Sequence, residues 1–281
     1  MLLVIMYTKP VSGLAASTTC ESASARPDAT PELGRRDLLV INSNTSSAIT
    51  ALLQKHAQDQ AGPQIRTRAV TARFGAPYIA DEVSYAIAAH ATLDAWAAAL
   101  SNEQPAPDSV LIGCFGDPGL EALRMCSPVP VTGLAEASFI AAARLGRFAV
   151  VTGGRAWEPI LRRLALASGF GEQLACVHAV ELQGDQLAAD RPRALSLLTQ
   201  ACNDVIARQG VQSVILGGAG VAGIAAEIQR DVAIPMIDSV QAGVSWALEQ
   251  SHRTSRSVAP EFAVAWQGLS VELMRLARAS R

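Results

Sequence analysis

The sequence predicts an α/β protein of two pseudosymmetric three-layer α/β/α domains, with mainly parallel sheets and an active-site cleft between the domains. Three observations predict it. From Asp37 onward, short Val/Ile/Leu runs alternate with longer Ala-rich stretches of helical periodicity, the pattern of βα units whose parallel strands are buried on both faces. One strand-turn-helix passage occurs twice. Half of the 281 residues are apolar yet only 5% are aromatic, which suits close-packed helices on an aliphatic sheet and leaves little for a base-stacking platform.

In chain order, the strands fall at 38–42 (LLVIN), 64–70 (QIRTRAV), 109–113 (SVLIG), 148–153 (FAVVTG), 175–180 (ACVHAV) and 213–218 (SVILGG). These runs have strand length and strand composition, and helical patterns follow most of them. The clearest helices are 79–100 and 185–209, and a further amphipathic one runs from Pro260 to Ala279. Residues 1–36 differ in kind: after a short apolar start come Ser, Thr, Ala and Pro in quantity, interrupted by Lys9 and Pro10. A disordered extension is expected there, because a secretory signal would carry its charge ahead of a longer apolar segment.

The repeat organises the rest. Ser109-Val-Leu-Ile-Gly-Cys114-Phe-Gly-Asp-Pro-Gly-Leu and Ser213-Val-Ile-Leu-Gly-Gly218-Ala-Gly-Val-Ala-Gly-Ile coincide at a shift of 104 residues. Downstream, Val129-Pro-Val-Thr132 answers Ile234-Pro-Met-Ile237 at a shift of 105, and each of these short strands runs into a helix, after Gly133 and after Asp238. Upstream, Leu39-Val-Ile-Asn42 is matched more loosely by Ala149-Val-Val-Thr152. The expected division is a first domain of 37–131 plus 239–281 and a second of 132–238. Open α/β units bind ligands at the carboxyl ends of their strands, where loop amides converge. The site is therefore expected in the cleft between the domains, walled by the turns at Asn42–Thr45, Cys114–Asp117, Thr152–Arg155 and Gly218–Gly220.

Composition excludes several classes of function. Lys and Arg number 23 against 25 acids, so no basic surface draws the chain to nucleic acid or an anionic membrane. No apolar run approaches the ~18 residues that span a bilayer. The five cysteines form an odd set without a CxxC pair or a histidine at ligand spacing, which speaks against a disulfide framework or a zinc site and for a reducing cytoplasm. The Gly217-Gly-Ala-Gly220 turn is only a weak nucleotide-binding signal, and the chain has no phosphate-binding GxxxxGK[ST] and no GxSxG elbow. A small-molecule substrate remains.

Cys114, in GCFGDPG, stands at a strand end ahead of a helix start, where free amides and the helix dipole would lower its pKa and favour a proton-abstracting thiolate. Cys20, Cys126, Cys176 and Cys202 read as packing residues, and His178 as a hydrogen-bonded strand residue. Asn42, Ser43, Asn44 and Thr45 can cap the following helix or hold a carboxylate or imide carbonyl. Phe115, Gly116, Thr152, Gly153 and Ala219 complete the expected substrate walls. Asp117 and Glu136, both in first turns, serve either as caps or as auxiliary acid/base groups.

At these residues the sequence resembles the aspartate/glutamate racemase superfamily and, within it, the hydantoin racemase branch. The resemblance covers nearly all of 37–250 and rests on INSNTS (41–46), VLIGCFGDPGLEALR (110–124), PVTGLAEAS (130–138), GRFAVVTGG (146–154), VILGGAGVAG (214–223) and IPMIDSVQAG (234–243). It implies a homo-oligomeric isomerase without cofactor or metal, acting on a hydantoin or related amino-acid derivative through two cysteines on opposite faces of the substrate. Cys114 would be the first of them. The second would fall at Gly218, where hydantoin racemases typically have Cys in an LGCAG motif, and Gly218 has no side chain to supply a proton. The departure leaves room for one-sided enolate chemistry, as in the related arylmalonate decarboxylases with their single cysteine in the opposite half, or for a binding protein that has lost catalysis.

Overall fold

The computed structural model describes residues 36–101, 106–252 and 266–279. The expected N-terminal extension thus lies outside the described residues as far as residue 35, Cys20 with it, as do residues 260–265 of the expected last helix. Arg36, assigned to the extension, instead opens the first strand.

Four parallel strands form a first sheet: β1 (Arg36–Asn42), β2 (Ile65–Thr71), β3 (Ser109–Ile112) and β4 (Val131–Gly133), in the order β2-β1-β3-β4. Four more form a second: β5 (Phe148–Gly153), β6 (Leu174–Val180), β7 (Ser213–Gly217) and β8 (Met236–Asp238), in the order β6-β5-β7-β8. The repeat extends to the pairing register. Leu38 pairs with Ser109 as Phe148 pairs with Ser213, and Val110 with Val131 as Val214 with Met236. Aliphatic residues fill β1, β3, β5 and β7, which are buried along nearly their whole length, as strands covered on both faces must be.

Helices α1 (Ser47–Ala61), α2 (Glu82–Ser101) and α3 (Leu120–Cys126) follow the first three strands, and α4 (Leu134–Ala143) leads into the second sheet. There α5 (Trp157–Ala167), α6 (Gly184–Ala189), α7 (Arg191–Gln209), α8 (Ile224–Ile228) and α9 (Ser239–Ser251) continue the pattern, and α10 (Val271–Ala279) packs on α2. Two expected helices differ from their reading. The helix over 185–209 is broken at Asp190, because Pro192 suits only a helix's first turn and Asp190 caps a new start by accepting from Arg193 N at 3.2 Å. The helix over 79–100 begins at Glu82, where Asp81 Oδ1 accepts from Ser84 N at 2.8 Å. Residues 72–81 are thereby left as a loop. No helix among the described residues is long and apolar enough to cross a membrane.

The two halves hold each other through exchanged helices. Helix α4, which leaves the first sheet, packs on β7 and β8, whereas α9, which leaves the second, packs on β3, β4 and α1, and the two helices pack together. The core between them is continuous across both sheets, from Leu38, Val40 and Leu111 to Phe148, Val150 and Ile215. Phe139 of α4 sits at its centre, fully buried, stacked on Phe148 with centroids 5.8 Å apart and in contact with Phe115 and Phe170 at 6.3 and 6.0 Å. Phe139→Ala leaves an aromatic-sized cavity there and is expected to destabilise the protein by about 3–5 kcal/mol. A urea midpoint unmoved by that substitution would contradict this account of the core.

Candidate active site

Both sheets present their carboxyl ends to one hollow, which encloses about 60 Å³. Asn44, Gly113, Cys114 and Phe115 line it from the first half, and Thr152, Gly153 and Gly217–Val221 from the second. The Cys114 turn is set by two backbone bonds, Gly113 N to Ile41 O at 2.8 Å and Asp117 N to Cys114 O at 3.0 Å. The amides of Cys114 and Phe115 find no acceptor among the described residues. Facing them, Ala219–Val221 form a single 3-10 turn, whose first amides have no partner within the turn. The hollow thus combines one thiol, two pairs of loop amides and the polar groups of Asn44 and Thr152.

The thiol's ionisation runs against the sequence expectation. Helix α3 starts only at Leu120, six residues past Cys114, too far for its dipole to act on the sulfur. Burial instead pushes the thiol pKa well up, and the nearby Asp117 carboxylate adds to the shift. Cys114 therefore carries its proton at neutral pH in the free protein.

Asp117 owes its place to Gly133. Helix α4 has Gly133 at its N-cap, without a side chain to close the first turn, and Asp117 supplies the missing cap from the Cys114 turn. Its two carboxyl oxygens accept from Ala135 N at 2.9 Å and Glu136 N at 2.8 Å. A Cβ on Gly133 would lie 2.1 Å from the Asp117 carboxyl carbon. Asp117 reaches this position with φ 54°, a left-handed conformation that Asp tolerates better than most residues. Its own pKa is pushed up to about 7 by burial, against the pull of the two amides. In the second half the cap stands in the usual place: Asp238 Oδ1 accepts from Val240 N and Gln241 N, and Oδ2 from Gly223 N at 2.7 Å.

Among the other expected site residues, Asn44, Phe115, Thr152, Gly153 and Ala219 line the hollow. Asn42 and Asn44 brace one another, with Asn42 Nδ2 donating to Asn44 Oδ1 at 2.8 Å. The cap of α1 is Ser46 rather than these residues, its hydroxyl accepting from Ile49 N. Ser43 is buried against the Thr92 hydroxyl at 2.8 Å, and the Thr45 amide is spent on Ala76 O. Gly116 gives its carbonyl to the Tyr85 hydroxyl at 2.7 Å. Glu136 is engaged elsewhere: it pairs with Arg124 at 2.5 Å and lines a separate hollow beside Trp246. Neither Asp117 nor Glu136 lines the Cys114 hollow. Cys126 and Cys202 are buried as expected, and Cys176 and His178 are half-buried on β6, an edge strand.

Besides Ile49 of α1, three wall residues carried no sequence signal of their own: Tyr78 and Ile79 from the loop before α2, and Trp157 at the start of α5. They arrive by long-range contact, through Trp157 Nε1 donating to Ile79 O at 3.0 Å.

Comparison with known proteins gives the family and the fold. The family model for Asp/Glu/Hydantoin racemase matches residues 38–247. The chain is 32% identical over 210 residues to a hydantoin racemase of Paenarthrobacter aurescens, covering 73% of this chain and 86% of that protein. Among solved structures it is similar to allantoin racemase from Klebsiella pneumoniae, with 30% identity and a TM-score of 0.75 over 83% of this chain and 96% of that one. A mutant arylmalonate decarboxylase shares the fold at a TM-score of 0.57 and 14% identity, over 79% of this chain and 97% of that one.

The raised pKa of the half-buried thiol makes a pH prediction. Alkylation of Cys114 by iodoacetamide, followed by peptide mass spectrometry, is expected to be at least about tenfold slower at pH 8 than for free cysteine, whose pKa is ~8.5, and to climb only at more alkaline pH. Asp117→Asn removes the neighbouring charge and shifts that climb to lower pH, at about 1–2 kcal/mol of stability from the weakened cap. Free-thiol speed at neutral pH in the native protein would refute the assignment.

Proposed function

The chain belongs to the Asp/Glu/hydantoin racemase family, and from that footing we propose a cofactor-independent isomerase that moves a proton at the carbon next to a carbonyl of a hydantoin or related amino-acid derivative. Cys114 is its acid/base. The observation that carries the reading is the place of this thiol, at the floor of the hollow where the turns of two mirrored halves meet. The names of the similar proteins, hydantoin and allantoin racemases, support a five-membered cyclic ureide as the substrate class. A cytoplasmic homo-oligomer belongs to the same reading.

In this mechanism the ring carbonyl lies against the loop amides, which stabilise the enolate oxygen more strongly than the neutral carbonyl and so lower the barrier to proton loss. The Cys114 thiol delivers a proton to one face of the planar carbon. In the reverse direction the thiolate left by that transfer takes the proton back from the same face. Inversion also needs a proton-carrying group on the far face. Gly218 occupies the matching position of the repeat, and its backbone, at φ 130°, has a conformation that L side chains rarely adopt. There is nevertheless room beside it: an added Cβ would meet only Val221 Cγ2 at 3.8 Å and Thr152 Oγ1 at 4.0 Å.

The bare Gly218 and the protonated thiol together favour a second reading, one-sided protonation of an enolate formed by loss of carbon dioxide. In that reaction the C–C bond electrons pass to the enolate, and the Cys114 proton ends on the same carbon.

In deuterated water the protein is expected to exchange the C5 hydrogen of hydantoins, and Cys114→Ala to lower that exchange by at least about a hundredfold. Exchange undiminished in the variant eliminates Cys114 as the base. Polarimetry run alongside separates the faces, since exchange faster than inversion marks a weak far-face group. Gly218→Cys is expected to raise inversion relative to exchange while costing about 1–3 kcal/mol of stability for its strained backbone. Carbon dioxide evolved from a disubstituted malonate, with no exchange of hydantoins, selects the second reading.

A further inference from the structure

The loop of residues 72–81 has a part in the site beyond enclosing it. It leaves β2 at the carboxyl edge of the first sheet and crosses to the second half, where it is fastened at three points. Trp157 Nε1 donates to Ile79 O at 3.0 Å, and the Tyr78 hydroxyl stands 3.4 Å from Gly153 O. Just past the loop, Glu82 and Arg163 form a two-pronged ion pair at 2.6 and 3.0 Å. On its own side, Ala76 O accepts from Thr45 N at 3.1 Å. The crossing is a strap over the hollow, tied to both halves.

The lining of the hollow divides by chemistry. Donors and acceptors for a cyclic ureide come from the strand-end turns, with Asn44 and Thr152. The apolar remainder comes chiefly from Ile49, the ring of Tyr78, Ile79 and Trp157, of which Ile49, Ile79 and Trp157 are 7%, 3% and 6% exposed. A cavity volume of about 60 Å³ is far below the ~300–1,000 Å³ of pockets that take drug-sized ligands. Once the ring is seated on the amides, the group carried by its reacting carbon has the strap left to meet. Ile79 is held in that wall by its own carbonyl, through the Trp157 indole.

We propose that Ile79 and Trp157 set the size of the ring substituent that the site accepts, so that the protein takes compact groups and excludes aromatic ones unless the strap is released. The proposal rests on the cyclic-ureide reading above and deepens it. It is read by binding, so it does not depend on turnover.

The test measures dissociation constants of hydantoin, 5-methylhydantoin and 5-benzylhydantoin by titration calorimetry on the full chain. In the native protein the benzyl compound is expected to bind at least tenfold more weakly than the methyl compound. Ile79→Ala, which opens the wall, is expected to shrink that ratio at least fivefold. Trp157→Phe keeps a ring in place but removes the tie to Ile79 O, and shifts the ratio in the same direction if the alanine variant fails to fold. Equal binding of methyl and benzyl compounds by the native protein, or a ratio unmoved in both folded variants, overturns the strap assignment. Failure of the native protein to bind unsubstituted hydantoin at millimolar concentration is a different result, which rejects the ureide reading and the strap's role in it together.

Discussion

Two amide groups at the start of α4, those of Ala135 and Glu136, end on the buried carboxylate of Asp117, and the placement of Cys114 follows from that bond. Helix α4 packs on the second sheet, whereas Asp117 belongs to the turn that carries Cys114 at the edge of the first. One carboxylate therefore fixes the thiol relative to both halves. It also adds to burial, the larger cause, in raising the thiol's pKa, since a negative charge so near disfavours a second negative charge on sulfur.

Against that bond, the two halves repeat one another with a few purposeful differences. Strand order and pairing register are the same in each. The caps are exchanged: in the first half an acid in the turn reaches out to the helix, and in the second an acid at the helix start reaches back to the turn through Gly223 N. The matching turns differ most in their side chains, with a thiol at residue 114 and a bare backbone at residue 218. A symmetric scaffold thus carries an asymmetric pair of turns.

Much of this was legible along the chain. The repeat shows in short, contiguous segments such as SVLIGCFG and SVILGGAG, and parallel strands buried on both faces announce themselves as aliphatic runs. The turn bearing Cys114 was legible for the same reason. Its ionisation was not, because burial depends on what packs over the sulfur from elsewhere in the chain. The break at Asp190-Arg-Pro192 had a local signal that periodicity overrode, and so did Ser46, a cap residue just past the Asn42–Thr45 stretch. Tyr78, Ile79 and Trp157 had none, since they meet across the cleft through contacts some eighty residues apart in sequence. Glu136 looked like a site acid only while its partner Arg124 was unknown.

The exchange of α4 and α9 has a bearing on how the chain acquires its structure. All four strands of the first sheet are synthesised well before Ser239–Ser251, yet that late helix covers β3 and β4. On the ribosome, an apolar sheet face stands open until most of the polypeptide has emerged. A first half formed ahead of α9 lacks the helix that packs on β3 and β4, so docking of α9 completes its cover. Such a nascent chain is a natural client for chaperones that shield exposed apolar surface, and a truncation ahead of α9 removes the lid from the first half rather than trimming the second.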